Sequence, residues 1–192
     1  MKEFWSEVSD IETAKIRILD KEFMFDKKLS KIDFSNKIIL DFGCGIGRNL
    51  KYLINHTNAK EIIGFDFPNM IKLAKDFLTK EEFQKVLFIS PPLPNLSENV
   101  DIILAIVVLQ HIDTIRELEE CLIKLRSFLK DDGMIYIHSR GYIDASTGID
   151  DTKEDRNIWH HILKYFNPIS YLNSEDSTEN HQQVFFKIKM EA

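Results

Sequence analysis

The sequence predicts a single α/β domain built on a mainly parallel sheet. Three observations carry that expectation. Apolar runs of strand length alternate with stretches whose apolar residues recur every three to four positions. A glycine-rich turn joins the first such strand to the first such helix. The chain has 192 residues, the size of one domain with a substantial core, and shows no internal repeat, low-complexity tract or linker.

The first strand is expected from Lys37 to Phe42, where Ile38, Ile39 and Leu40 form a continuous apolar run suited to burial on both faces. After the glycine turn, Ile46, Leu50, Leu53 and Ile54 mark one face of a helix. The second strand spans Glu61 to Asp66, and Pro68 stands where a helix can begin, with Ile71, Ala74, Phe77 and Leu78 as its stripe. A third strand, Lys85 to Ile89, ends at Ser90-Pro91-Pro92, and a fourth, Asp101 to Val107, is the most apolar segment. Thr114 and Glu117 fit a capping box for a helix carrying Ile115, Leu118, Leu122, Leu125 and Leu129. Asp132-Gly133 is expected to close it before a fifth strand, Met134 to His138. A further helix is expected from about Lys153 to Phe166, with Thr152 as its cap and Asn167-Pro168 as its stop. Strands near Ile169 to Leu172 and Gln182 to Lys189 finish the pattern. The last alternates loosely and is expected as an antiparallel edge. Seven strands result, with helices on both faces as residues 37–192 and a helical region over residues 1–36 that precedes the sheet as a lid.

Composition narrows the class. Hydrophobic residues make up 44% and charged residues 29%, a globular balance rather than a disordered one. No apolar run approaches the roughly 20 residues that span a bilayer, and Met1-Lys2-Glu3-Phe4-Trp5 lacks the features of a secretory signal. Cys44 and Cys121 lie far apart without metal-ligand spacing, which predicts two reduced thiols in a cytoplasmic protein. The net charge is −6 and no Lys/Arg cluster stands out, which makes nucleic acid an unfavoured partner. The oligomeric state is not legible.

Asp41-Phe42-Gly43-Cys44-Gly45-Ile46-Gly47 lies between a strand and a helix. Glycines there permit positive φ and let backbone approach a ligand, and the helix that follows offers unpaired N–H groups and the positive end of its dipole. The same turn also serves as a plain strand–helix connection. Asp66, at the end of the second strand about 20 residues on, stands where nucleotide-binding α/β units place an acid for ribose hydroxyls. Its alternative role is at the N-terminus of the next helix. The dinucleotide fingerprint Gly-x-Gly-x-x-Gly is not met, because its third glycine would fall at Arg48.

LDFGCGIG resembles motif I of the class I S-adenosylmethionine (SAM)-dependent methyltransferases, an acid followed by Gly-x-Gly-x-Gly. GFDFPNMIKLAK, LPNLSENVDIILAIVVLQHI and LRSFLKDDGMIYI resemble later segments of the family, in order and at family spacing, over about residues 37–138. The resemblance implies a Rossmann-like fold and SAM as cofactor. It places Asp41 and the backbone of Gly43, Cys44, Gly45 and Gly47 around the methionine portion and Asp66 on the ribose. It places Phe67 and Met70 against the adenine or ribose, and Ile106 along the sulfonium region. Ser90 stands where the family often has an Asp near the adenine, and Val100 where it usually has a Phe. The Asn/Asp-Pro-Pro-Tyr motif of certain amino methyltransferases is absent, since Leu104-Ala105-Ile106-Val107 occupies that place.

Methyl transfer is an in-line displacement, and a hydroxyl or amine acceptor needs a base of pKa near 7. His111, just past the fourth strand, is the candidate base, with packing or capping as its alternative. Arg140, at the end of the fifth strand, is the candidate anchor for an acceptor phosphate or carboxylate, with solvation or a loop acid as its alternative. Tyr142, His138 and His181 are weaker candidates, Phe4 and Trp5 belong to the expected lid, and His160 and His161 lack a spaced metal partner. The leading reading is methyl transfer to a small-molecule or sugar-derived acceptor, an anionic one if Arg140 serves. A SAM-binding partner subunit without transferase activity and a protein or RNA methyltransferase are the alternatives.

Overall fold

The computed structural model describes residues 7–9, 29, 32–93, 96, 98–140, 157–172 and 181–188. The expected N-terminal helical region falls almost entirely outside them. So do Phe4, Trp5, Tyr142 and the Thr152 cap.

Seven strands form one sheet: β1 (Ile38–Phe42), β2 (Glu61–Phe65), β3 (Val86–Ile89), β4 (Val100–Ile106), β5 (Leu129–Arg140), β6 (Phe166–Leu172) and β7 (His181–Ile188). Their order is β3-β2-β1-β4-β5-β7-β6. Among the described residues, no helix is long and apolar enough to cross a membrane.

The chain divides into two compact units, residues 3–95 and residues 96–192 with the first two. In the first, β1 pairs parallel with β2 from Ile38↔Glu61 to Phe42↔Phe65, and β2 pairs parallel with β3. All five residues of β1 are buried, as its unbroken apolar run requires. Helix α1 (Arg48–His56) buries Leu50 and Leu53, and α2 (Pro68–Phe77) starts on its proline and buries Met70, Leu73 and Ala74. A short helix, α3 (Lys80–Gln84), follows, one the periodicity does not predict. Its signal is local. The Thr79 hydroxyl accepts the Glu82 N–H at 3.2 Å, and the Glu82 carboxylate accepts the Thr79 N–H at 2.9 Å. Glu82 also accepts from Asn55 at 2.7 Å, which, before the capping bond, holds its pKa below the ordinary range.

In the second unit, β4 and β5 run parallel, β7 runs antiparallel to β5, and β6 runs antiparallel to β7. The last strand is therefore antiparallel as expected. It lies between β5 and β6, so the edge falls to β6. Pro168 sits within that edge strand, at a register shift, rather than ending a helix, because an edge tolerates a residue with no N–H to give. Helix α4 (Ile115–Phe128) begins at Thr114, whose hydroxyl accepts the Glu117 N–H at 3.1 Å. The strand after it starts earlier than expected. Leu129 already pairs with Val100, and a register shift follows before Met134 pairs with Ile102. Asp132-Gly133 therefore lies in a bulged strand rather than at a helix end. Helix α5 (Ile158–Tyr165) is capped by Asn157, whose side chain accepts the Trp159 N–H at 3.0 Å. On this helix His161 Nδ1 lies 2.8 Å from Glu119, which Lys164 also approaches at 2.6 Å.

Candidate cofactor and catalytic site

The glycine turn is built by three left-handed residues, Gly43 at φ 76°, Gly45 at 55° and Gly47 at 89°. A side chain at any of them would be strained. The turn is tied to the end of β2: the N–H groups of Gly43 and Cys44 both donate to the Phe65 carbonyl, at 2.8 and 3.0 Å. Gly47 then serves as N-cap of α1 and, having no side chain, makes no side-chain cap bond. The first turn also holds no acidic residue.

Asp66 leaves β2 beside the turn. Its Oδ2 accepts the Gly45 N–H at 2.7 Å, and its Oδ1 accepts the Phe67 N–H at 2.7 Å. Burial pushes its pKa up to about 6, against the pull of those two bonds. A carboxylate has room for about four hydrogen bonds, and these two backbone bonds use about half of it.

Asp41, the acid before the glycines, is fully buried. Its Oδ1 accepts from the Asn49 amide at 3.3 Å, while its Oδ2 has no hydrogen-bond partner among the described residues. Burial raises its pKa to about 7; the Asn49 bond opposes the rise and the charge of Asp66 adds to it. Cys44 is buried as well, and burial, then Asp66 and Asp41, push its thiol well above the ordinary value. It remains a neutral thiol. Met70 belongs to an apolar cluster with Val8, Ile46 and Leu73, against which the half-buried Phe67 packs. Ser90 follows β3 directly and is half-buried. In this unit the structure brings Asp41, Gly43, Cys44, Gly45, Gly47 and Asp66 together. It adds Asn49, which a reading of the sequence passes over as an ordinary polar helix residue.

The second unit holds the remaining candidates. Ile106 is the last residue of β4 and is buried. Val107 follows at φ 54°, a left-handed conformation rare for a β-branched residue. It is held there by its N–H, which donates to the His138 carbonyl at 2.7 Å. One turn of 3₁₀ helix, Leu109–His111, comes next. Gln110 and Ser139 are buried with Ser139 Oγ 3.5 Å from Gln110 Oε1, and His138 is buried beside them in sequence. His111 is half-buried, with its Nδ1 shut away from solvent. Arg140 ends β5, its backbone opposite His181 on β7. Its side chain, like that of His181, is outside the described residues.

A family model described as a methyltransferase domain matches residues 40–135, from β1 through the glycine turn into β5. The chain belongs to this family, the class I SAM-dependent methyltransferases. Solved structures share the fold of this methyltransferase. The N-methyltransferase NodS from Bradyrhizobium japonicum, solved with S-adenosyl-L-homocysteine (SAH), superposes with a TM-score of 0.68 at 14% identity, over 98% of this chain and 97% of that one. A TehB-like SAM-dependent methyltransferase from Corynebacterium glutamicum gives 0.60 at 20% identity, over 81% and 82%. The methyltransferase solved with the Trm112 activator of Haloferax volcanii gives 0.60 at 14% identity, over 84% and 86%. No curated protein matches the methyltransferase in sequence.

Proposed function

We propose that this methyltransferase moves the methyl group of SAM to a small-molecule acceptor, with the cofactor held by the Asp41–Gly47 turn and Asp66. The observation that carries the reading is the bond from the Gly45 N–H to Asp66, which fastens an acid with acceptor capacity to spare beside three left-handed glycines. The residues fit the cofactor in a second respect. The buried Asp41 Oδ2 without a donor suits a ligand that carries a cation.

SAM, when bound, supplies a methyl group on sulfonium, which reacts by in-line displacement. The chain's own residues would hold, orient and desolvate. Asp66 takes the ribose hydroxyls, Phe67 offers an apolar face to the adenosine, and Ser90 supplies a hydroxyl toward the adenine. Ile106 would line the sulfonium region. In the second unit His111 is the proposed base, and because its Nδ1 is buried, Nε2 is the nitrogen that exchanges a proton.

A net charge of −6 opposes a polyanionic acceptor, which favours a small molecule over nucleic acid. If Arg140 turns its guanidinium to the acceptor, a sugar phosphate or nucleotide-linked sugar is the matching class, because the fork binds an oxyanion with two hydrogen bonds. The two free cysteines agree with a cytoplasmic location. Isotopically methyl-labelled SAM, incubated with the protein and cell extract, is the test. Label is expected in a low-molecular-weight product. Label found only in RNA or protein would give the acceptor to a macromolecule, and SAM binding without any transfer would make the chain a cofactor-binding subunit.

A further inference from the structure

We propose that Gln110 and Ser139 are positioning residues for methyl transfer: together they pin the turn after β4 against β5 and so aim the His111 imidazole. The inference rests on the reading of His111 as the base and goes beyond it in assigning two residues that act through it.

The chain turns sharply at the end of β4. Val107 adopts φ 54°, where a β-branched side chain is strained. Such strain persists only where the surroundings impose it. Here β5 imposes it twice. The Val107 N–H donates to the His138 carbonyl at 2.7 Å, which carries the attachment one residue past the last strand pair, Ile106↔His138. Three residues on, Gln110 Oε1 accepts from the Ser139 hydroxyl at 3.5 Å. Gln110 is 1% exposed and Ser139 0%, and their chain neighbours Leu109 and Ile137 are buried as well. A polar pair there costs desolvation that an apolar pair would not, and a bond between two buried groups selects one arrangement of the segments that carry them.

The turn passes that arrangement on to His111. Leu109–His111 is one turn of 3₁₀ helix, held by bonds from the His111 N–H to the Val108 carbonyl at 3.0 Å and from the Ile112 N–H to the Leu109 carbonyl at 3.2 Å. Successive side chains of a 3₁₀ turn point about 120° apart. Leu109 and Gln110 take the two buried directions, and the third falls to the half-buried His111. Freeing Gln110 would therefore let His111 swing, and a catalytic group displaced by about an ångström loses much of its effect.

The test is a double-mutant cycle on the whole protein. Methyl-labelled SAM is the donor, and the low-molecular-weight fraction of a cell extract supplies the acceptor. Ser139→Ala, and Gln110→Met with its similar length, should each lower label transfer at saturating SAM by about tenfold or more, with SAH affinity within about twofold of wild type. Retained SAH binding shows that the variants are folded. Ser139→Thr, which keeps the hydroxyl, should recover most of the rate. Added to His111→Ala, Ser139→Ala should cost less than about twofold more, because the ring it acts through is gone. A wild-type rate in Ser139→Ala, or a loss that multiplies with that of His111→Ala, would overturn the positioning role and leave the pair as packing at the end of the sheet. An undiminished rate in His111→Ala would instead overturn the base reading, and a wild type that binds SAH but labels nothing the transfer reading; each takes the positioning role with it.

Discussion

The Asp66 carboxylate closes a 21-residue span of chain by accepting the Gly45 N–H at 2.7 Å. That bond links the end of β2 to the crest of the glycine turn, and the Phe65 carbonyl anchors the base of the same turn through Gly43 and Cys44. The acid expected to meet the cofactor therefore also shapes the loop that meets it.

Replacing Asp66 should accordingly act twice. Asp66→Ala removes the ribose acceptor and frees Gly45, each a charge-assisted bond worth roughly 1.5–3 kcal/mol. SAH affinity should fall by about tenfold or more while the circular-dichroism spectrum stays that of a folded α/β protein. A folded variant with wild-type affinity would remove Asp66 from the site.

The pKa of Asp41 is raised to about 7 and that of Asp66 to about 6, chiefly by burial. Unfolded aspartates titrate near pH 3.9. Between about pH 4 and 7 the unfolded chain has released protons that the folded chain retains, so stability falls as pH rises through this window and levels off above it. Asn49 and Asp66 are the groups around Asp41 that shape its titration. Glu82 and Glu119, with lowered pKa values, act with the opposite sign, but only in more acid solution. The melting temperature of the ligand-free protein should therefore drop between pH 5.5 and 8. Asp41→Asn should be the more stable form at pH 8, with the gap closing toward pH 5. A wild-type melting temperature that rises over this range, with no gain from the amide, would contradict the burial of these acids.

Gly64 stands opposite Asp41 on the neighbouring strand. A methyl group there would lie 3.1 Å from both Leu50 Cδ1 and Phe88 Cε1 and 3.2 Å from Cys44 Sγ. Gly64→Ala should cost about 1–3 kcal/mol by overpacking, read as a lower denaturant midpoint, and should disturb the turn through Cys44. An unchanged midpoint would mean that α1 and β3 yield more readily than their burial suggests.

His111→Ala should lower turnover about a hundredfold or more if the imidazole is the base, with SAM affinity retained and the acid limb of the pH–rate profile lost. Normal turnover at every pH would leave His111 as a packing residue and would favour an acceptor that is already ionised, the kind Arg140 would bind.

Much of this was legible in the residues because the relevant signals are local. Ile38–Leu40 and Ile102–Leu104 read as buried strands from their unbroken apolar runs, and Thr114 marked the start of α4. What was missed has physical reasons. Helix α3 is too short to show a period, though Thr79 and Glu82 carried its cap. Leu129 continues the spacing of Leu118, Leu122 and Leu125, and that spacing cannot reveal that its backbone already pairs with Val100. Pro168 reads as a helix stop until its strand proves to be an edge. Asn49 reads as an exposed helix residue, since its buried partner Asp41 lies on another element. In the same way, Val107's strained φ leaves no mark in sequence.

Calorimetric titration of the wild-type protein with SAH, set beside NAD, tests the central claim most directly. One site with micromolar or tighter affinity is expected for SAH and none for NAD. SAH should bind about tenfold or more weakly when Asp66 is replaced. Binding of NAD with no response to SAH would contradict the assignment of the glycine turn.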